Sequence, residues 1–225
     1  MDELLPPRLR DSRWFMYPFF HVWFKGKNLD TYMDFKDIAY NLSEEEFNNV
    51  YRNLDCRAGD RPTDLNSESL NYMIQQLDRD SKTLLDVGCG RGHWLETVAN
   101  RTNLHLTGCD VKTPKPSGRI NYVNGSIAAL PFEDNAFDIV TCHHTIEHLR
   151  DLPTALAELK RVARRQLIIA TPCQRCYFYT LDLHLQFFPI ASTLTNAIDM
   201  KYHTCKNVHG DWVYIGDAAR EKAEL

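Results

Sequence analysis

A chain of 225 residues, 44% hydrophobic and 25% charged, has the size and composition of one globular domain with ordinary elaborations. Its net charge of −4 excludes a broad electrostatic attraction to nucleic acid or anionic lipid. Seven cysteines at no disulfide-like spacing, no secretory signal and no apolar run of membrane-spanning length lead to the expectation of a reduced, cytoplasmic chain.

Residues 1–80 read as a helical, partly irregular lid, and residues 81–225 as a core carrying further elements on the substrate side. Residues 14–24 are dense in aromatics and interrupted by Pro18. They read as a helix packed on the core, with contact to a membrane surface as the alternative, since Lys25 and Lys27 flank the run. Ser43 and Glu46 have the spacing of a capping box. Asn66 or Ser67 caps a helix running to about Leu77.

From there strands and helices alternate. Strands are expected over 83–87, 105–109, 120–123, 137–142 and 166–170, with helices over 94–100 and 153–163. This order implies a doubly wound, mostly parallel α/β sheet with right-handed crossovers. The nine residues 111–119 are too few for a full crossover helix, so a shortened element or a loop is expected there. Further on, a helix near 191–198 and a strand at 212–215 are expected, and one more strand is needed that the pattern does not place.

The strand Thr83–Val87 runs into Gly88-Cys89-Gly90-Arg91-Gly92, glycine at three alternate positions, followed by a helix. Such a turn lets backbone approach a ligand with no Cβ in the way. A dinucleotide fingerprint would place glycine at 93; the chain has His93, which argues against NAD or FAD. Asp110 closes the next strand, where a carboxylate can accept ribose hydroxyls. Downstream come Gly125-Ser126-Ile127, Leu130-Pro131-Phe132, and Ile146-Glu147-His148-Leu149 directly after a strand.

Together, Asp-x-Gly-x-Gly-x-Gly, Asp110, the Leu-Pro-Phe segment and Ile-Glu-His resemble the class I S-adenosylmethionine (SAM) methyltransferases of the type 11, ubiquinone-pathway-like branch. The resemblance covers about residues 82–190. It implies a Rossmann-like core with SAM as cofactor, held around Asp86, Gly88, Cys89, Gly90, Gly92, Asp110, Val111, Ser126, Ile127, Cys142 and His143. Ser126 stands where that family has an aspartate toward adenine, so a neutral hydroxyl replaces a charged acceptor.

His148, helped by Glu147, is the expected base for an acceptor hydroxyl. The alternative is that both residues only hydrogen-bond within the scaffold. His144, Glu147 and His148, with His184 downstream, are similar to the metal site of small-RNA 2′-O-methyltransferases and of ubiquinone-pathway O-methyltransferases, with His144 in place of the first glutamate. No metal is assigned on that basis. Cys173, Cys176, Cys205 and His209 could be spaced for zinc, but the first two fall where a substrate pocket should open. Tyr177–Thr180 and Phe187-Phe188 would wall that pocket. The expected acceptor is a hydroxyl of a small molecule or glycan. N-methylation, methylation of an RNA or peptide end, and a catalytically silent SAM-binding partner subunit are the alternatives.

Overall fold

The computed structural model describes residues 5–54, 63–115 and 118–224. Its N-terminal part holds α1 (Pro7–Arg10), α2 (Arg13–Trp23), α3 (Leu29–Met33), α4 (Phe35–Ile38) and α5 (Glu44–Arg52). Then come α6 (Ser67–Gln76), β1 (Thr83–Val87), α7 (His93–Ala99), β2 (His105–Asp110), β3 (Ile120–Asn124) and β4 (Phe137–His143). The chain continues through α8 (Leu152–Val162), β5 (Ala163–Pro172), α9 (Ala191–Ile198), β6 (His203–Val208), β7 (Asp211–Asp217) and α10 (Ala218–Ala223).

The strands form one sheet in the order β3-β2-β1-β4-β5-β7-β6. β7 runs antiparallel to both its neighbours, and the other pairs are parallel. The order reverses between β1 and β4, so a ligand crevice opens beyond their carboxyl ends. Because β7 is antiparallel, its first residue, Asp211, pairs with Pro172 at the carboxyl end of β5 and reaches that same crevice.

The central strands are apolar on both faces, as a sheet covered on two sides requires. Successive residues alternate between two cores. Leu85, Val140 and Ile169 face α8 and α9 with Leu156, Leu159, Leu194 and Ile198. Leu84, Ile139 and Ile168 face Met73, Trp94, Leu95 and Val98 of α6 and α7. At the opposite end of the sheet Asp138 ties three strands together. It accepts the Lys82 backbone N–H at 2.8 Å and the Arg164 Nε at 2.8 Å.

Helix α5 starts at the expected capping box, with Ser43 and Glu46 bonded reciprocally. Asn66 caps α6 by accepting the Ser69 N–H at 2.8 Å. The described residues of the 111–119 connection form no helix, as the short spacing predicts. Helix α2 forms over the expected aromatic stretch and runs through Pro18, which is exposed and forgoes a single backbone bond on the solvent side. The unplaced strand is β6, an edge strand whose side chains are mostly exposed and therefore show no apolar alternation.

Residues 5–54 form a third cluster of their own. Met16, Phe20, Phe24, Tyr32, Met33, Phe35 and Phe47 pack with Tyr179 and Leu183 of the loop after β5. Helix α6 instead packs on the sheet. Polar clamps fasten the cap to the loop: Arg10 donates to the Tyr179 carbonyl, Lys36 to that of Tyr177, and Tyr51 Oη to that of Leu183 at 3.1 Å. From β4's side Arg150 donates to the Leu42 and Ala39 carbonyls and lies over the Phe47 ring. Trp14, Tyr17 and Val22 of α2 face outward. No helix among the described residues is long and apolar enough to cross a membrane.

Candidate active site

The site has two halves that meet at Thr145. The first is the glycine turn after β1. Gly88, Gly90 and Gly92 all have positive φ, at 74°, 51° and 81°. A Cβ on Gly88 would fall 2.2 Å from Thr145 Oγ1, and one on Gly92 would fall 2.1 Å from Tyr122 Oη. Those two glycines are required by packing. A Cβ on Gly90 would meet no protein atom within 4 Å, so the loop's middle faces open space, as a turn that cradles a ligand should.

Asp110 stands beside this opening. Its carboxylate accepts the Gly90 and Lys112 backbone N–H groups, each at 2.9 Å. Burial pushes its pKa up against those two bonds. Val111 offers its carbonyl to Asn124 Nδ2, and the Gly125 N–H bonds the Asp110 carbonyl, which brings the 125–129 turn alongside. Ser126 Oγ accepts the Ala128 N–H within that turn, and Ile127 packs on the first core. Asp86 is fully buried beneath the loop. It accepts from Thr141 Oγ1 at 2.7 Å and lies 3.4 Å from His143 Nε2. The Cys89 and Cys142 side chains are buried in the two cores, so only their backbone is available to a ligand.

The second half follows β4. His144 has a φ of 46°, costly for a residue with a side chain and a kind of strain that gathers at functional sites. The turn carries a short 3₁₀ segment, Ile146–His148, anchored by buried Ile146. Thr145 joins the halves, packing on Gly88 with its side chain and accepting the His148 N–H with its carbonyl at 3.1 Å. The Glu147 carbonyl accepts the N–H groups of Leu185 and Gln186, which draws the 183–188 segment over the site.

Glu147 is 1% exposed. Its carboxylate accepts from Thr171 Oγ1 at 3.1 Å and lies 3.4 Å from His144 Nδ1. His144 Nε2 faces Asp211 at 3.3 Å. Burial opposes charge on both partners, but the imidazole between two carboxylates is held protonated and Glu147 is held ionised. Asn66 Nδ2 in turn donates to Asp211 at 2.7 Å.

His148 lies edge-on to Tyr51 and to His184, with ring centroids 5.3 and 4.8 Å apart. Its Nδ1 is buried without a hydrogen-bond partner. His184 Nδ1 sits 2.7 Å from Gln174 Oε1, an acceptor, so the proton lies on Nδ1 and Nε2 keeps its lone pair. Burial, reinforced by His148, pushes the His184 pKa down to about 3, so the ring is neutral.

One donor atom each from Glu147, His148 and His184 lie within 4.8 Å of one another. Two imidazoles and a carboxylate are a donor set that suits zinc or a similar divalent ion, which would lower the pKa of a bound hydroxyl. His144 stands outside this set, since both its nitrogens face carboxylates. Cys173, Cys176, Cys205 and His209 do not gather into such a group among the described residues.

Residues 85–170 match the family described as a methyltransferase domain. That stretch of the chain is thus similar to a methyltransferase domain. An uncharacterized methyltransferase of Schizosaccharomyces pombe is 28% identical over 193 residues, 67% of each chain. A ubiquinone biosynthesis O-methyltransferase of Neisseria meningitidis is 29% identical over 137 residues, 53% of this chain and 57% of its own length. The chain thus spans little more than half of that second relative. A SAM-dependent methyltransferase of Aquifex aeolicus shares the fold with a TM-score of 0.55 at 16% identity, over 71% of this chain and 95% of that one. The matched residues run from within β1 to within β5, and Asp211, Tyr51 and Asn66 come to the site from outside them.

Proposed function

We propose that the chain transfers a methyl group from SAM to a hydroxyl of a small molecule or glycan. The observation that carries this reading is the junction at Thr145, which sets the glycine cradle and the Glu147–His148–His184 cluster side by side. SAM supplies an electrophilic methyl on a sulfonium. The open backbone at Gly90, with Gly88 and Gly92 shaping the turn, would hold the cofactor's amino-acid portion. Asp110 would exchange its present bonds for the ribose hydroxyls, a swap that its position beside Gly90 makes local.

On the acceptor side, most of the rate comes from positioning, and a base adds to it. His148 takes the hydroxyl proton, with Nδ1 the buried nitrogen that lacks a partner. Glu147, held as a carboxylate, stabilises the imidazolium that results. Neutral His184 and the cap's Tyr51 flank the ring and keep it oriented.

Calorimetric titration with SAM and S-adenosylhomocysteine, with Asp110→Ala as the control, tests the cofactor half. Micromolar binding that is lost in the variant is the expected result. No binding of either ligand would overturn the reading.

A further inference from the structure

Lys36 on α4 occupies an electrostatically unfinished position. Its ammonium lies 4.0 Å over the Phe187 ring and donates to the Tyr177 carbonyl, so both partners are neutral. Among the described residues it forms no ion pair. The Cys176 thiol and, after it, Asp11 contribute some attraction, but neither is bonded to the ammonium, and the Asp11 carboxylate accepts the Phe178 backbone N–H at 2.7 Å. Arg10 lies over the Tyr177 ring at 4.7 Å, and its charge also acts on Lys36. A half-buried cation without an anionic partner is costly. Burial, the largest influence, pulls the Lys36 pKa down to about 8, in keeping with that cost.

The position is tied to the candidate active site. Phe187 follows His184 by three residues, and the intervening Leu185 and Gln186 are bonded to the Glu147 carbonyl. The Lys36 charge also acts on His184. On the other side of α4, Phe35 is buried among Phe47 and Tyr51 of the cap, and Tyr51 touches His148.

We propose that Lys36 recognises the methyl acceptor through an oxyanion, a carboxylate or a phosphate, carried on the acceptor beside the hydroxyl to be methylated. The inference rests on the methyltransferase reading and adds to it the charge class of the substrate. The ammonium keeps its place over Phe187 and turns its donors from the Tyr177 carbonyl to the incoming anion. A charge-assisted bond of this kind favours an anionic over a neutral acceptor by about tenfold or more.

The test uses the full chain saturated with S-adenosylhomocysteine and three probes: benzoate, phenyl phosphate and neutral methyl benzoate. Ligand-observed NMR titration measures each dissociation constant for the wild type, Lys36→Met and Lys36→Arg. The methionine keeps the apolar stem over Phe187 and removes the charge. One or both anions should bind the wild type at least about tenfold more tightly than the ester, and which anion does so separates carboxylate from phosphate. Lys36→Met should erase the preference, and Lys36→Arg should keep part of it. Unchanged S-adenosylhomocysteine affinity in both variants shows that the core is folded, and unchanged hydrogen exchange over residues 35–52 shows that the cap is. A wild type that binds S-adenosylhomocysteine but shows no anion preference overturns this proposal alone. So does a preference that survives in Lys36→Met. Failure to bind S-adenosylhomocysteine overturns the underlying methyltransferase reading instead.

Discussion

The sheet and the cap are held together by different physics. The sheet rests on backbone ladders and two dense aliphatic cores, and its glycine turn has no latitude: two of three glycines already touch neighbouring side chains. The cap rests on an aromatic cluster and a few side chains that grip backbone carbonyls across a chain separation of more than a hundred residues, Arg150 to Leu42 and Tyr51 to Leu183 among them. Damage to the first should abolish cofactor binding. Damage to the second should spare the cofactor and disturb the acceptor.

The largest effect is expected from Gly88→Ala. The new methyl would collide with Thr145 at a backbone φ of 74°, and strain plus overpacking together cost about 3 kcal/mol or more. Thermal unfolding should shift down, and SAM titration should show binding weakened beyond detection at micromolar ligand. Wild-type affinity in this variant would break the picture of a rigid cradle.

His148→Ala comes next. Turnover should fall by about 10²-fold or more while SAM affinity stays within about twofold. Equal turnover would remove the base assignment and leave His148 as scaffold. Dialysis against a chelator sharpens the same point: under the base reading turnover persists, whereas a loss restored by zinc or manganese would hand the hydroxyl to a cation at Glu147, His148 and His184.

Arg150→Met should act on the cap alone. It removes two carbonyl clamps but keeps an apolar stem against Phe47. Hydrogen exchange over residues 35–52 should accelerate and KM for the acceptor should rise several-fold, with the SAM dissociation constant unchanged.

The smallest effect is a matter of pH. Burial alone would raise the Asp138 pKa, but the Lys82 N–H, Arg164 and the Thr83 N–H outweigh it and hold the carboxyl below its ordinary value. A group depressed in the folded state stabilises above its unfolded pKa of about 3.9, and that stability is lost as pH falls through the lower folded value. Denaturant midpoints measured from pH 7 to pH 3 should therefore fall less steeply in Asp138→Asn. An unchanged slope would show that this carboxylate contributes nothing to acid unfolding.

The legibility of the sequence follows the same division. Central strands such as 83–87 can be read because burial on both faces forces continuous apolar runs. The glycine turn, Asp110 and the Glu147-His148 pair can be read because each is local to a strand end. β6 escapes because an exposed edge imposes no pattern. Pro18 does not spoil the helical reading of 14–24, because a single lost bond on the solvent face does not stop a helix. Asp211, Gln174, Tyr51 and Lys36 carry no local signal. Asp211 reaches the site only through the antiparallel turn of β7, and the cap residues only through folding over the 177–187 loop.

The four tryptophans divide between the two regions. Trp14 and Trp23 lie on α2, the first of them 75% exposed. Trp94 is 1% exposed below the glycine turn, its indole N–H bonded to Thr141 Oγ1, and Trp212 on β7 donates to the Phe188 carbonyl. The molecule thus carries its own optical probes at both ends. Iodide should quench the red-edge emission of Trp14 while leaving Trp94 dark to the quencher, so cofactor arrival and cap movement can be followed separately in one unlabelled sample.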